Sequence, residues 1–237
     1  MTAARCRCLL ACLLLAGCQD KASSEAGAPA ADETKADAVL TSYESARASQ
    51  NWEAAEAQAD QLRKKFPDSA AAGKIGSTLP AVRDEASKAR DAVRLQGLWQ
   101  YQAIPVGQAE QRSATIFSRT VPAEDGEVAP VPDAQLVLRD HPAWGHSAYL
   151  LLAQSHFSCG RPCAMQIGFD GGEPKHYAGK QADSGKGPAL FIEDDAGFIA
   201  AMSHAKTVRI ELPKGSGRIP VLMFEVSGYA PARFAKP

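Results

Sequence analysis

The stretch "SAYLLLAQSHFSCGRPCAMQIGFD", residues 147–170, decides how the chain reads. Apolar and polar residues largely alternate with a period of two, the mark of half-buried strands, on either side of a break at Gly160-Arg161-Pro162. Read as a hairpin with strands 147–159 and 163–170, the stretch sets Cys159 against Cys163, Phe157 against Met165, Ser155 against Ile167 and Ala153 against Phe169. That face is almost wholly apolar, while Gln154, His156, Ser158, Gln166 and Asp170 on the other are polar. Directly opposed Cα atoms in a non-hydrogen-bonded antiparallel pair lie about 4.5 Å apart, within reach of a disulfide. The same register turns His156 away from both sulfurs. A structural zinc would want four ligands, and a thioredoxin-type redox pair has two intervening residues where this one has three. The reading is a disulfide staple, with no metal.

The chain begins "MTAARCRCLLACLLLAGC", residues 1–18. Arg5 and Arg7 make a basic start and Cys8 to Leu15 a short apolar run, well below the roughly 20 residues of a spanning helix. This predicts a signal peptide over residues 1–17. Its end, Leu15-Ala16-Gly17-Cys18, resembles the lipobox of bacterial lipoproteins. What the resemblance implies is cleavage before Cys18, a diacylglyceryl group on its thiol and a further acyl chain on its amine. Two or more chains anchor a protein firmly where one does not. Gln19 stands where the inner-membrane retention signal would have Asp, which by the same analogy implies the outer membrane, facing the periplasm. Of six cysteines, Cys6, Cys8 and Cys12 then leave with the signal peptide and Cys18 carries lipid. Cys159 and Cys163 remain, in a compartment where disulfides persist.

Composition fits a membrane-tethered globular protein. The chain has 237 residues, 45% hydrophobic and 22% charged. Losing Arg5 and Arg7 takes 26 basic side chains to 24 against 27 acidic, a mature balance of −3, with no basic footprint for nucleic acid. Residues 18–33 are rich in Ala, Ser and acidic residues and predict a lipidated flexible tether. From 34 to 95 the period turns helical. Ala36, Val39, Leu40, Tyr43 and Ala46 form one stripe, Trp52, Ala55, Ala59, Leu62 and Phe66 a second, and Leu79, Val82, Ala86, Ala89 and Val93 a third behind Thr78 as N-cap. The unit "SQNWEAAEAQADQLRKKFPDS", residues 49–69, resembles the second half of a tetratricopeptide repeat, with Trp52, Ala55, Ala59, Leu62 and Pro67 at that motif's spacing. A TPR-like hairpin crossed by a third helix and a plain helical bundle are both open readings, and in either the stripes are core.

From Leu98 onward the period is two. Strands are predicted at "LWQYQAI", "SATIFSR", "AQLVLRD", "SAYLLLAQSHFS", "CAMQIGFD", "EPKHYAG", "PALFIED", "TVRIEL" and "PVLMFEVSG", with one helix capped by Asp194 or Asp195 and striped by Phe198, Ile199, Met202 and Ala205. The fold class is therefore α+β: a small helical, TPR-like module over 34–95, then a disulfide-stapled antiparallel β-sandwich with one short helix over 96–237. The run "MQIGFDGGEP", "ALFIED", "GFIAAMSHAKTVRIEL", "LMFEVSGY" is similar to the closing half of VasI-type periplasmic proteins and invasion-associated locus B proteins. The resemblance implies a periplasmic β-sandwich with no established catalytic apparatus, so no site residues carry over from it.

Motifs of catalysis are thin. Gly179 to Gly187 departs from a phosphate loop in both its spacing and its missing Ser or Thr, and no nucleophile elbow accompanies the Ser, His and acidic residues. Glu193-Asp194-Asp195 reads as helix capping. The expectation is a non-enzyme without catalytic residues, cofactor or metal. The loop "RDHPAWGHSAY", residues 139–149, offers Trp144, His141 and His146 as a ligand surface for a sugar, peptide or protein; the other reading tucks Trp144 under the loop as a plug. Trp99 and Tyr101 are expected to pack between the modules. Together these features predict a binding or scaffolding lipoprotein of the envelope, with a membrane held by lipid and an envelope protein as partner. A glycan- or peptidoglycan-binding module and an envelope hydrolase stand as the alternatives.

The cysteine reading is checked by alkylation under denaturing conditions. The mature protein should show no free thiol and no stoichiometric zinc, and Cys159→Ser with Cys163→Ser should fold with a loss of about 2 kcal/mol or less, as a short closed loop allows.

Overall fold

The computed structural model describes residues 27–119, 134–152, 157, 163–181, 188–212 and 221–234. The expected signal peptide, the lipidation site Cys18 and Cys159 lie outside the described residues. The chain divides into two compact units between Ala86 and Ser87.

The first unit holds α1 (Gly27–Ala48), α2 (Trp52–Lys65), α3 (Ala70–Lys74) and the start of α4 (Leu79–Gly97). Helix α1 begins inside the segment expected as tether. Alanine makes that stretch a good helix former, and Glu33 accepts a hydrogen bond from the Ala70 N–H at the start of α3 (3.3 Å). Gln50, at φ 56°, turns the chain, and Asn51 caps α2 through the Ala54 N–H. Ala36, Leu40, Tyr43, Ala55, Ala59, Leu62 and Val82 are buried together, so the predicted stripes are core. Their small side chains let backbones approach closely. Thr78 stands at the N-cap position of α4, as expected, its carbonyl accepting from the Val82 N–H at 3.1 Å, while its hydroxyl meets Tyr43 Oη at 2.7 Å and donates to the Ile75 carbonyl. The third stripe is cut short as well, for Val93 is 72% exposed. Helical spacing shows which residues share a face, not whether anything covers it.

The second unit contains every predicted strand: β1 (Gln100–Val106), β2 (Ala109–Phe117), β3 (Ala134–His141), β4 (Gly145–Leu152), β5 (Cys163–Phe169), β6 (Lys175–Gln181), β7 (Ala189–Ile192), β8 (Thr207–Glu211) and β9 (Val221–Glu225). Helix α5 (Asp195–Ser203) lies between β7 and β8, capped by Asp194, which accepts from the Gly197 N–H at 3.0 Å. A 3-10 turn (Val226–Gly228) and α6 (Pro231–Phe234) follow β9. All neighbouring strands are antiparallel, and among the described residues they form one nine-stranded sheet, β1-β2-β3-β4-β7-β6-β5-β8-β9. A single sheet thus takes the place of the two expected of a sandwich.

Alternation predicted the faces correctly and the partners wrongly. Cys163, Met165 and Ile167 are buried while Ala164 and Gln166 are exposed. The register that set Ser155 against Ile167 does not hold, because both flanks of Ile167 are taken, while residues 153–156 and 158–162 of the expected hairpin lie outside the described residues. Strand β4 pairs with β3 and β7, and β5 pairs with β6 and β8, so Met165 faces Tyr177 and Ile167 faces Lys175 and Ile210. Each strand has a partner on both sides over part of its length, and local apolar pattern carries no information on which strand that is. Cys163 is half of a disulfide and 6% exposed. Opposite it stands Gly179, where a Cβ would come within 3.2 Å of the sulfur.

The sheet bends back on itself. Arg119, just past β2, donates its N–H to the Met223 carbonyl of β9 at 2.8 Å. Successive strand N–H groups point to opposite sides, and Ser118 donates toward β3, so Arg119 reaches the flank that β1 leaves free before Gln100. The seam is tied by residues 94–101 and 225–234. Glu225 is bridged by Arg94 (3.2 Å) and Arg119 (3.6 Å), and buried Trp99 donates Nε1–H to the Val226 carbonyl. Tyr229 packs 5.1 Å from the Trp99 ring, and burial pushes its phenol up to about 12. Trp99 and Tyr101, expected to pack between the modules, have these partners inside the second unit. Gly228 approaches the last turn of α4 so closely that a Cβ would lie 2.1 Å from the Leu95 carbonyl oxygen. Inside the curve Leu136, Leu150, Ile167, Ile210 and Phe224 pack with Phe198 and Met202 of α5.

The Phe169-Asp170-Gly171-Gly172 segment is a clasp. Asp170, at φ 52°, accepts from the N–H groups of Lys206 and Thr207 at 2.7 and 2.8 Å and locks the end of β5 to the start of β8.

Gly228→Ala should destabilise the protein by about 2–4 kcal/mol in urea unfolding, because a backbone carbonyl cannot rotate aside. Gly97→Ala, with nothing within 4 Å of its Cβ, should stay within about 1 kcal/mol of the parent.

Candidate functional site

The loop that carried the sequence candidates is the tip of the β3–β4 hairpin. The Trp144 N–H closes on the His141 carbonyl at 3.2 Å, and Gly145 follows at φ 71°. A three-residue loop with glycine in the left-handed region is a standard hairpin connection. Pro142 starts the turn with its φ already restricted. This geometry lays the indole of Trp144 on the imidazole of His141, ring centroids 3.8 Å apart and 13° from parallel. His141 is 7% exposed and its Nδ1 accepts from the Ala143 N–H at 3.1 Å, which holds the ring in place. Trp144 is 70% exposed. One face of the indole rests on His141, and the 70% exposure of the residue sets aside the plug reading.

Below the tip, alternation sends Leu136, Leu138, Ala148 and Leu150 to the core and Arg139, Ser147 and Tyr149 to the other face, where Val137 is itself buried. Arg139 faces Ser147 across the pair and donates Nε–H to its hydroxyl at 3.2 Å. Its guanidinium carbon lies 5.3 Å from the Trp144 ring centroid, 5.4 Å from Tyr149 and 6.0 Å from Phe191. Tyr149 and Phe191 are partners in the β4–β7 register, with rings 5.0 Å apart. Burial pushes the Tyr149 phenol up against the opposing effect of the Arg139 charge. A cation thus sits among three aromatic rings, each attracting it through the negative face of its π-system.

The structure separates His146 from this group. It pairs with Asp140 in the alternate row, and its ring lies 6.2 Å from Phe234. Arg139, Tyr149 and Phe191 were not among the sequence candidates. Period-two counting from the loop could have reached Arg139 and Tyr149. Phe191 depends on the β4–β7 pairing, which nothing local announces. Asp194 is a helix cap, as read from the sequence.

Two further features bear on function. The first unit has a cleft of about 720 Å³ lined by Arg63, Ile75, Leu79 and Arg83, with Arg83 bridged to Asp60 at 2.7 Å. Among the described residues no group of three or more His, Cys, Asp or Glu could hold a metal ion, and no helix is long and apolar enough to cross a membrane.

No family model matches the chain, and no curated protein matches it. Among solved structures the chain is similar to the crystal structure of invasion associated protein b from Bartonella henselae, at 15% identity over 55% of this chain and 85% of that one, with a TM-score of 0.34. That name meets one of the resemblances read from the closing half of the sequence, and a likeness of this size carries no argument about function.

The exposure of Trp144 is checked by acrylamide quenching. Of the three tryptophans, Trp99 is buried and Trp52 half-buried, so the strongly quenched emission should belong to Trp144. Trp144→Phe should remove that component, and a plugged indole would leave quenching unchanged.

Proposed function

We propose that the chain is a lipoprotein of the bacterial envelope, lipidated at Cys18 on the periplasmic side of the outer membrane, that acts without catalysis as a binding and scaffolding module. The lipobox-like Leu15-Ala16-Gly17-Cys18 supports the anchor. The observation that supports a binding role is the exposed indole of Trp144, held flat on His141 beside Arg139. An exposed tryptophan on a rigid support supplies contact area without losing side-chain freedom on binding. In this reading the lipid holds the protein at the membrane, the sheet presents the platform, and an envelope protein or a glycan is the partner. A glycan is the reading that the flat, open ring favours. Cys159 is proposed as the disulfide partner of Cys163.

Cys18→Ala should move the protein from the membrane to the soluble fraction and leave its signal peptide uncut by the lipoprotein peptidase. Sedimentation of that variant with outer membranes after high-salt washing would end the anchor reading. Crosslinking in intact envelopes should capture a species that Trp144→Ala loses. Capture kept by Trp144→Ala and lost by Arg63→Glu would move recognition to the cleft of the helical unit. Turnover of esterase, glycosidase or peptidase substrates by the purified protein would favour the hydrolase instead.

A further inference from the structure

We propose that the outer face of β3, β4 and β7 binds a saccharide carrying a carboxylate, with Trp144 stacked on the sugar ring and Arg139 holding the acid. This rests on the recognition reading above and names its ligand class.

The argument begins with what the platform lacks. Strands β3, β4 and β7 are each paired on both sides. Their backbone donors and acceptors are used within the sheet, so a peptide cannot add itself there as a strand, the usual way an extended chain gains affinity on a sheet. Recognition at this place falls to side chains. Those on offer are planar: an indole that is 70% exposed, a guanidinium, and the rings of Tyr149 and Phe191 beside it. A flat indole with a negative π-face suits the C–H face of a pyranose ring, which is apolar and weakly positive.

Arg139 adds the charge. Its Nε–H is used by Ser147, which leaves the two terminal amino groups of the fork. Among the described residues no carboxylate pairs with it. Asp140, its neighbour, lies in the alternate row of the strand, opposite His146. A guanidinium already ordered by three rings loses little freedom on binding, and its planar fork matches one carboxylate through two parallel hydrogen bonds. The chain is acidic overall. An unpaired cation kept beside an open indole on such a protein therefore selects for an anion locally. One fork and one ring fit one acid group on one sugar.

The test uses the purified mature chain and two pairs of probes that differ by a carboxylate: N-acetylmuramic acid with N-acetylglucosamine, and glucuronic acid with glucose. Binding is followed by tryptophan emission and by saturation-transfer NMR on the sugar. In at least one pair the acid should bind about tenfold more tightly than its neutral partner, with the gap narrowing as salt rises. Arg139→Gln should bring the acid to the level of the neutral sugar. Arg139→Lys, which keeps the charge but loses the fork, should fall between. Trp144→Ala should lose both, with unfolding midpoints confirming that each variant is folded. Equal binding within both pairs, or a preference that survives Arg139→Gln, overturns the acid-reading role and leaves the platform standing. A peptide ending in a free carboxylate that binds where no sugar does overturns the saccharide class alone. Binding that is indifferent to Trp144→Ala, or no binding of any probe, overturns the inference and removes the support for the platform.

Discussion

The second unit depends on one close approach. Its sheet bends until β9 meets the end of β2, and there the turn after β9 lies against the last turn of α4 with room for a hydrogen atom and nothing larger at Gly228. Such contact between two backbones is held by what surrounds it. Glu225 stands between Arg94 and Arg119, Trp99 reaches the Val226 carbonyl, and the Ala230 N–H donates to the Tyr101 hydroxyl. The exposed ion pairs contribute little each. The buried ring and its hydrogen bond contribute more, since an unpaired indole N–H in the core would cost about 1–3 kcal/mol. The contacts between residues 94–101 and 225–234 therefore hold the seam at which the core is closed.

That curvature gives the sheet two unlike faces. The inner one is filled by Leu136, Leu150, Ile167, Phe224 and the apolar side of α5. The outer face of β3, β4 and β7 carries Arg139, Tyr149 and Phe191, and at its end Trp144 lies on His141. Hairpin geometry makes this arrangement stiff. Gly145 supplies the left-handed step, and the Ala143 N–H holds the imidazole under the indole.

The segment Phe169-Asp170-Gly171-Gly172, part of what gave the sequence its likeness to known periplasmic proteins, has a structural task. Asp170 takes a positive φ, which Asp tolerates better than most residues, and its carboxylate receives two N–H groups from the chain entering β8. A motif of this kind can recur wherever the same strand must be locked to the same neighbour, and it then reports architecture rather than ligand.

Local pattern was enough to read the class of the fold, the nine strands, the cap at Asp194 and the buried residues of β5, because strand and helix periods are properties of neighbouring residues. It was enough too to place Trp144 at a loop tip, since Pro142 and Gly145 mark a tight turn that must present what lies between them. The partner of each strand was decided elsewhere. Nothing in residues 147–170 says that β4 will pair with β7 and β5 with β8, and so the expected partner of Ile167 was wrong while the buried face of β5 was right. The exposure of Val93 and the helical start at Gly27 follow the same rule, for burial and helix length are settled by what packs alongside. Arg139, Tyr149 and Phe191 form one surface only after three strands, two of them far apart in sequence, are laid side by side. Pairing between distant strands is chosen by the summed packing of the whole core, and that sum is available only to the folded chain.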